Sequence, residues 1–432
     1  MQLTIEKLVY GGDGLARLPV DEHGSGKTVF LPFVLEDEKV EARLLEQKPS
    51  FARAQAERIL EPSAHRTEPG CTYFQRCGGC HYQHSSYDHQ LEIKASILKE
   101  NLRRLAKLEL ATELEIHPSP PWNYRNRTRL KVQAAPAFAL GFYKFNSHQL
   151  LPVEQCPISS PLINQTLTAL WDLGRSGQIA KEIQEIEIFA DSADANLLIE
   201  LYCDPNAPRR NLRQCAEQLQ AALPHTGTVV AFRASTATHS AADLQPVVTI
   251  GGGSLTCNLG QSSYRVSAGA FFQSNRYLIG ELLKIVTDGA SGETAFDLYA
   301  GVGLFSKALA GSFAQVFSVE SSQTSFSDLH YNLPANAKAA QIATEQFLSM
   351  KGAGLRADLI VVDPPRSGLG GRVVRQLADL KPARLTYVSC DPATLSRDLA
   401  GLLEAGYHIG RAHLVDLFPQ TFHVESVFQL VR

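Results

Sequence analysis

Over the first sixty positions, apolar and polar residues alternate in short runs: Gln2 to Leu8, Lys27 to Val34, Lys39 to Leu45 and Phe51 to Ile59. Turn-forming residues such as Gly11-Gly12-Asp13-Gly14 separate them. Period-two alternation broken by turns predicts a small β-barrel over residues 1–60, of a kind that often binds oligonucleotides. A proline-containing junction, EPSAHRTEPG, marks its end. Helical spacing then runs from about Tyr87 to Leu108, inside a mixed region, 61–265. From 266 to 432 strand-like and helix-like stretches alternate, which predicts a doubly wound parallel sheet. The expected fold class is therefore α/β in three parts: barrel, central mixed α/β domain and C-terminal doubly wound domain.

Composition narrows the class. No run of this 432-residue chain approaches the ~18 consecutive apolar residues of a membrane span, and MQLTIEKLVY lacks a signal-peptide pattern. A cytoplasmic chain without a membrane partner is expected. In that compartment its 8 cysteines are metal ligands, catalytic thiols or buried filler rather than disulfides. A net charge of -3 excludes a globally basic surface, so any nucleic acid must be held by local patches.

Three cysteines, Cys71, Cys77 and Cys80, follow a C-x5-C-x2-C pattern in CTYFQRCGGCHYQ, and Cys156 in VEQCPI offers a fourth thiolate. Structural zinc more often uses two close pairs, and only one C-x2-C is present here, which favours an iron-sulfur cluster over zinc. Gly78 and Gly79 let backbone amides approach such a cluster. The spacing is not the C-x3-C-x2-C of a radical enzyme, and Cys156 closes the fourth site, so a structural or RNA-positioning role is expected.

In YRNRTRLKV, Arg125, Arg127, Arg129 and Lys131 fall at every second position, so a strand would put all four on one face. Contact with RNA phosphates is one reading and an edge strand guarded by charge the other.

The C-terminal third carries the chemistry. TAFDLYAGVGLFSKALA reads strand, glycine turn, helix, with Gly301 and Gly303 in the turn, and Glu320 ends the next strand, where an acid can bind ribose hydroxyls. Ser306 replaces the third glycine of a dinucleotide fingerprint, so a nucleoside cofactor without pyrophosphate, S-adenosylmethionine, fits better. DLIVVDPPRSGL ends a strand at Asp363-Pro364-Pro365, whose rigid prolines suit holding a planar ring, although the same residues make an ordinary loop. In YVSCDPATL, Cys390 ends a strand beside a helix that Asp391 caps and Pro392 opens. A helix N-terminus stabilises a thiolate, the Asp391 carboxylate opposes it, and a free cysteine also packs well as filler. At the end of the chain, His423 and Glu425 sit at period two on the expected last strand, Glu425 as a base or as a surface charge.

Taken together, FFQSN, DLYAGVG, VDPPRSG, SCDPATLSRD and FPQTFHVE, in that order, resemble the RNA uracil-5-methyltransferase family. The resemblance spans essentially the whole chain. It is strongest to the ribosomal branch, which joins a TRAM (OB-like) barrel and a [4Fe-4S] cluster to a Rossmann-like methyltransferase domain. It implies S-adenosylmethionine-dependent methylation of carbon 5 of a uridine in 23S ribosomal RNA, with no obligate protein partner. By the same resemblance Gln273, Tyr299, Gly301, Glu320 and Asp363 line the cofactor and uracil pocket, Cys390 is the nucleophile and Glu425 the base. Leu304 stands where some members carry Asn, and Asp391 where Asn is common. A transfer-RNA uracil methyltransferase and a non-catalytic iron-sulfur RNA-binding protein are the alternatives. A cytosine-5-methyltransferase is disfavoured because its cysteine-pair motif is missing.

Overall fold

The structure is a computed structural model that describes residues 1–19, 26–233, 245–351 and 356–432. Near the N-terminus, strands Gln2–Thr4, Lys39–Gln47, Phe51–Glu61, Thr28–Pro32, Asp13–Arg17 and Lys7–Leu8 form one six-stranded sheet in that order. Every second side chain, among them Leu3, Val29, Leu31, Val40 and Ala52, enters its core. The Gly-Gly-Asp-Gly stretch divides differently from its turn reading. Gly11 and Gly12 take positive φ, while Asp13 and Gly14 begin a strand. A Cβ on Gly14 would lie 2.4 Å from Val34 Cγ2, so close strand packing explains that glycine.

The central lobe is a seven-stranded sheet backed by helices Pro161–Arg175 and Arg209–Ala222. Strand Arg127–Gln133 lies antiparallel to Ile183–Ala190, with Arg129 opposite Glu187 and Lys131 opposite Glu185. Arg127 pairs with Glu187 and lies 3.1 Å from Glu200, Arg129 pairs with Glu187 at 2.5 Å, and Lys131 pairs with Glu185. The cations read as a face for RNA are thus largely neutralised within the sheet. Glu185 and Glu187 repeat the period of two on the neighbouring strand, which is why Arg127, Arg129 and Lys131 are held there, and the strand is paired on both sides, so it is not a charge-guarded edge. Arg125 precedes the strand and stands apart from this ladder.

The C-terminal sheet has eight strands in the order Ala337–Gln341, Phe313–Glu320, Gly292–Leu298, Leu359–Val362, Arg384–Ser389, Ser426–Val431, His408–Val415 and Leu114–His117. The first five are mutually parallel, as the alternating pattern predicts, and Ser426–Val431 runs antiparallel between its neighbours. The eighth strand comes from before the central sheet. Helix Tyr87–Leu105 accompanies it, burying Ala95, Leu98 and Leu102 against the C-terminal core. The 61–265 segment is therefore divided in space: part joins the C-terminal sheet, part builds the central one, and Ser254–Leu259 pairs with Ser262–Ser267 in a separate two-stranded sheet that crosses the expected boundary at 265. No helix among the described residues is long and apolar enough to cross a membrane.

Candidate active site

Parallel strands place their carboxyl ends on one edge, and Tyr299, Glu320, Asp363 and Cys390 all lie there. Because Ser426–Val431 runs the other way, the residue before it reaches the same edge. Ser389 and Ser426 form the last paired rung, and Cys390 and Glu425 are the next residue on each strand. Glu425 thus precedes the strand it was expected to occupy. It is 5% exposed, so the surface-charge reading does not hold.

The turn at Cys390 is fixed locally. Asp391 accepts hydrogen bonds from the Ala393 and Thr394 amides at 3.0 and 2.9 Å, and Pro392 opens helix Pro392–Glu404. The same helix holds the Pro-Pro loop: Thr394 Oγ1 donates to the Arg366 carbonyl at 3.1 Å, and Asp398 accepts from the Leu369 amide at 2.7 Å. Tyr387 also donates to Asp398, at 2.8 Å, so one buried carboxylate joins strand, loop and helix.

The electrostatics differ from a helix-activated thiolate. Burial pushes the Cys390 thiol up to about 12, and the negative charges of Glu425 and Asp363 add to it. Burial holds Glu425 well above the usual carboxylate range, with Asp363 adding and Arg366 opposing. Desolvation, aided by Asp297, lifts Asp363 to about 7. Burial in this site therefore favours the protonated form of the sulfur and of both carboxylates. Burial, then Glu425 and Asp363, outweigh the helix N-terminus, and Asp391, which caps that helix, adds a smaller push in the same direction. Arg366 faces Cys390 and Glu425 as a counter-charge and was not singled out in the sequence; its place in VDPPRSG is the signal that could have found it. His423 precedes the last strand as well. Its Nδ1 lies 3.3 Å from Arg366, and burial pushes its pKa down to about 3.

On the same edge, Glu320 accepts from the amides of Gly301 at 2.9 Å and Ser322 at 2.6 Å. Gly301 and Gly303 take φ of 54° and 93°, and a Cβ on Gly303 would meet Leu329 at 2.9 Å, so the second glycine answers to both strain and space. Ser306, at the fingerprint's third position, donates to buried Asp297 at 2.5 Å. Tyr299, Val319, Glu320, Ile342 and Thr344 line an open pocket of about 160 Å³. Gln273 is 7% exposed, between core residue Phe272 and Asn275. Asn275 accepts from the Tyr277 and Leu278 amides and donates to the Leu417 carbonyl, so part of FFQSN is structural.

Cys71, Cys77, Cys80 and Cys156 come together from the loop before helix Tyr87–Leu105 and from the segment before helix Pro161–Arg175. Each of the first three is raised by burial, Cys77 to about 11, and each is raised further by the charge of Cys156. Backbone amides of Tyr73 and Phe74 face Cys71, the Gly79 amide faces Cys77, and Gln83 faces both Cys71 and Cys80. Cys203, Cys215 and Cys257 are buried in the cores.

Residues 86–432 match the family model described as tRNA (Uracil-5-)-methyltransferase, and residues 1–56 match the TRAM domain. An uncharacterized RNA methyltransferase of Aquifex aeolicus is 32% identical over 99% of this chain and 97% of its own. Another, from Thermotoga maritima, is 31% identical over 100% of this chain and 99% of its own. Among solved structures, the Pyrococcus abyssi tRNA (uracil-54, C5)-methyltransferase in complex with S-adenosyl-L-homocysteine has the same fold. Its TM-score is 0.75 at 22% identity, with 100% of both chains covered.

Proposed function

Since this chain belongs to the tRNA (uracil-5-)-methyltransferase family and is an RNA methyltransferase, we propose that it transfers a methyl group from S-adenosylmethionine to carbon 5 of a uridine in 23S ribosomal RNA. The observation that carries the reading is Cys390 and Glu425 facing each other past the last rung of two antiparallel strands, with Asp363 beside them.

Bound S-adenosylmethionine supplies the methyl group as a sulfonium electrophile. Glu320 has lone pairs left after its two amide bonds to accept ribose hydroxyls, and Val319 and Ile342 offer apolar walls to the adenine. Carbon 5 of uracil is too weak a nucleophile unaided. Cys390 thiolate adds to carbon 6, the carbon 5–carbon 6 π pair moves toward oxygen 4, and carbon 5 then bonds to the methyl carbon as the methyl–sulfonium bond breaks, its electron pair leaving on the sulfur of S-adenosylhomocysteine. A thiolate beside an ionised Glu425 is disfavoured, so the two ionise in turn, and Arg366 favours each. Once sulfur is a neutral thioether, the Glu425 carboxylate removes the carbon 5 proton, the double bond re-forms and the carbon–sulfur bond breaks to return the thiolate. Asp363, near its midpoint at neutral pH, can give or take a hydrogen bond at the ring edge, as can Gln273. A base inside folded RNA reaches such a buried thiol only when flipped or unpaired.

The four cysteines suit a [4Fe-4S] cluster. Tetrahedral zinc, with bonds of ~2.3 Å, would gather its sulfurs to about 3.8 Å of one another. No three of these sulfurs, among the described residues, lie within 4.8 Å of one another. Amide donors facing the thiols are what cluster thiolates use. The Gln420 carbonyl accepts from the His81 and Tyr82 amides at 2.8 and 3.0 Å, tying this loop to FPQTFHVE. The role that follows is structural, holding the central lobe, which carries Cys156, against the reacting edge.

Methyl transfer from labelled S-adenosylmethionine to unmodified 23S ribosomal RNA, with transfer RNA alongside, tests the reading on anaerobically purified protein. Product as 5-methyluridine in ribosomal RNA alone supports it. Product in transfer RNA alone supports the alternative that the Pyrococcus protein's name suggests. A Cys390→Ala protein that still methylates RNA removes the nucleophile assignment.

A further inference from the structure

Outside this edge, a second group of ligand-type side chains gathers where strand Leu114–His117 joins the sheet. Glu115 and His117 share one face of that strand, and His413 on strand His408–Val415 pairs directly with Glu115. One donor atom from each of the three lies within 4.8 Å of the others. His117 Nε2 is 3.1 Å from His413 Nδ1, and Glu115 Oε2 is 3.6 Å from that same nitrogen. Tetrahedral zinc with bonds of ~2.0–2.1 Å spaces its donors about 3.3–3.4 Å apart.

We propose that Glu115, His117 and His413 bind a divalent transition-metal ion of the zinc type, with Glu281 orienting His117 and water completing the coordination. Glu281 Oε1 lies 3.3 Å from His117 Nδ1, the nitrogen turned away from His413. A carboxylate on the distal ring nitrogen fixes the tautomer that leaves the other nitrogen free to ligate. The His413 side chain is 1% exposed and its Nε2 has no hydrogen-bond partner among the described residues, so what orients its ring there lies on the Nδ1 side. Arg411 also holds Glu115, with two contacts of 3.1 Å, and pairs with Asp288. Glu115, Glu281 and Asp288 face Arg411 and, 3.9 Å from Glu281, the exposed Lys284, so the cluster keeps a net negative charge that favours a cation. A carboxylate has lone pairs enough for Arg411 and a metal together. The other His-His-Glu group, His65, His89 and Glu92, is a poorer site: its two rings stack at 4.0 Å and 9°, so their nitrogens lie side by side instead of converging. A metal at Glu115, His117 and His413 would pin the edge strand to the sheet.

Co2+ is the probe, titrated into the full chain with its cysteine cluster intact, and followed by Zn2+ competition. The expected result is one Co2+ per chain with weak visible d–d absorption and no new sulfur-to-cobalt charge transfer. Affinity falls about 10-fold or more in Glu281→Gln, and further in Glu115→Gln and His117→Gln. Zn2+ raises the melting temperature of the wild type and leaves those of Glu115→Gln and His117→Gln unmoved. The buried His413 is left intact, and cluster absorbance and methyl transfer confirm that each variant is folded. Wild-type protein that takes up no Co2+, equal uptake by all three variants, or sulfur charge transfer in the bound spectrum each overturns the site.

Discussion

The phenol of Tyr10, in the N-terminal barrel, donates to the carbonyl oxygen of Cys390 at 3.3 Å. The same ring meets Phe422 edge-on at 5.4 Å, and Phe422 meets His81, next to Cys80, at 4.7 Å. Barrel, cysteine loop and the Cys390 turn thus share one junction. Tyr10 touches the main chain of Cys390, so it bears on where the sulfur sits.

Tyr10→Phe keeps the ring packing and removes a hydrogen bond of about 1 kcal/mol. If that bond positions the nucleophile, kcat falls about five-fold with KM for RNA unchanged. Steady-state kinetics decide it, and a raised KM at constant kcat would assign Tyr10 to RNA binding instead.

On the proposed mechanism, Glu425→Gln lets the thiolate add but leaves no base for the carbon 5 proton. Turnover is expected to drop by ~10²–10⁴-fold, and an RNA–protein adduct that survives denaturing electrophoresis should accumulate. Normal turnover without adduct would remove Glu425 from the mechanism.

Raised pKa values give the site a pH signature. With the Cys390 thiol pushed up to about 12, the reactive thiolate is scarce at neutral pH, and kcat/KM is expected to rise with pH. Stability runs the other way. Asp363 is lifted to about 7 in the folded chain, against ~3.9 when unfolded, so the folded state binds its proton more tightly. That contribution is intact below about pH 4 and lost as pH rises through about 7. Asp363→Asn should therefore raise the melting temperature at mildly alkaline pH and not in acid, while lowering activity. A melting temperature unchanged at both would mean that Asp363 carries no such burial cost.

Arg129→Gln tests the paired face of the central sheet. Arg129 is held by Glu187 and lies 4.0 Å from the Tyr202 ring. Its loss should lower thermal stability and leave the salt dependence of RNA binding unchanged. A slope reduced by ~0.7, the share of one phosphate on single-stranded RNA, would return this residue to the RNA surface.

What was legible in the sequence was mostly local. The Cys390 turn could be read because Asp391 and Pro392 act within three residues of it. The glycine turn after strand Gly292–Leu298 was legible for the same reason. Arg127 misled because its partner Glu187 is 60 residues away, and nothing near YRNRTRLKV announces a complementary strand. The thiol's electrostatics were hidden likewise, since Glu425 and Asp363 come from other strands. LEIH, four residues long, gives no period from which to foresee a sheet edge beside residues 412–415.

That short strand changes what counts as a structural unit in this molecule. Helix Tyr87–Leu105 and strand Leu114–His117 belong to the C-terminal sheet, so the seven-stranded lobe is a cassette inserted into a fold that begins before it and resumes after it. A fragment starting at residue 266 would leave strand His408–Val415 with an open edge, a template for pairing with another chain. The cassette's two junctions, by contrast, leave the sheet that carries Cys390 continuous from residue 114 to the strands after 291, whatever lobe stands between them.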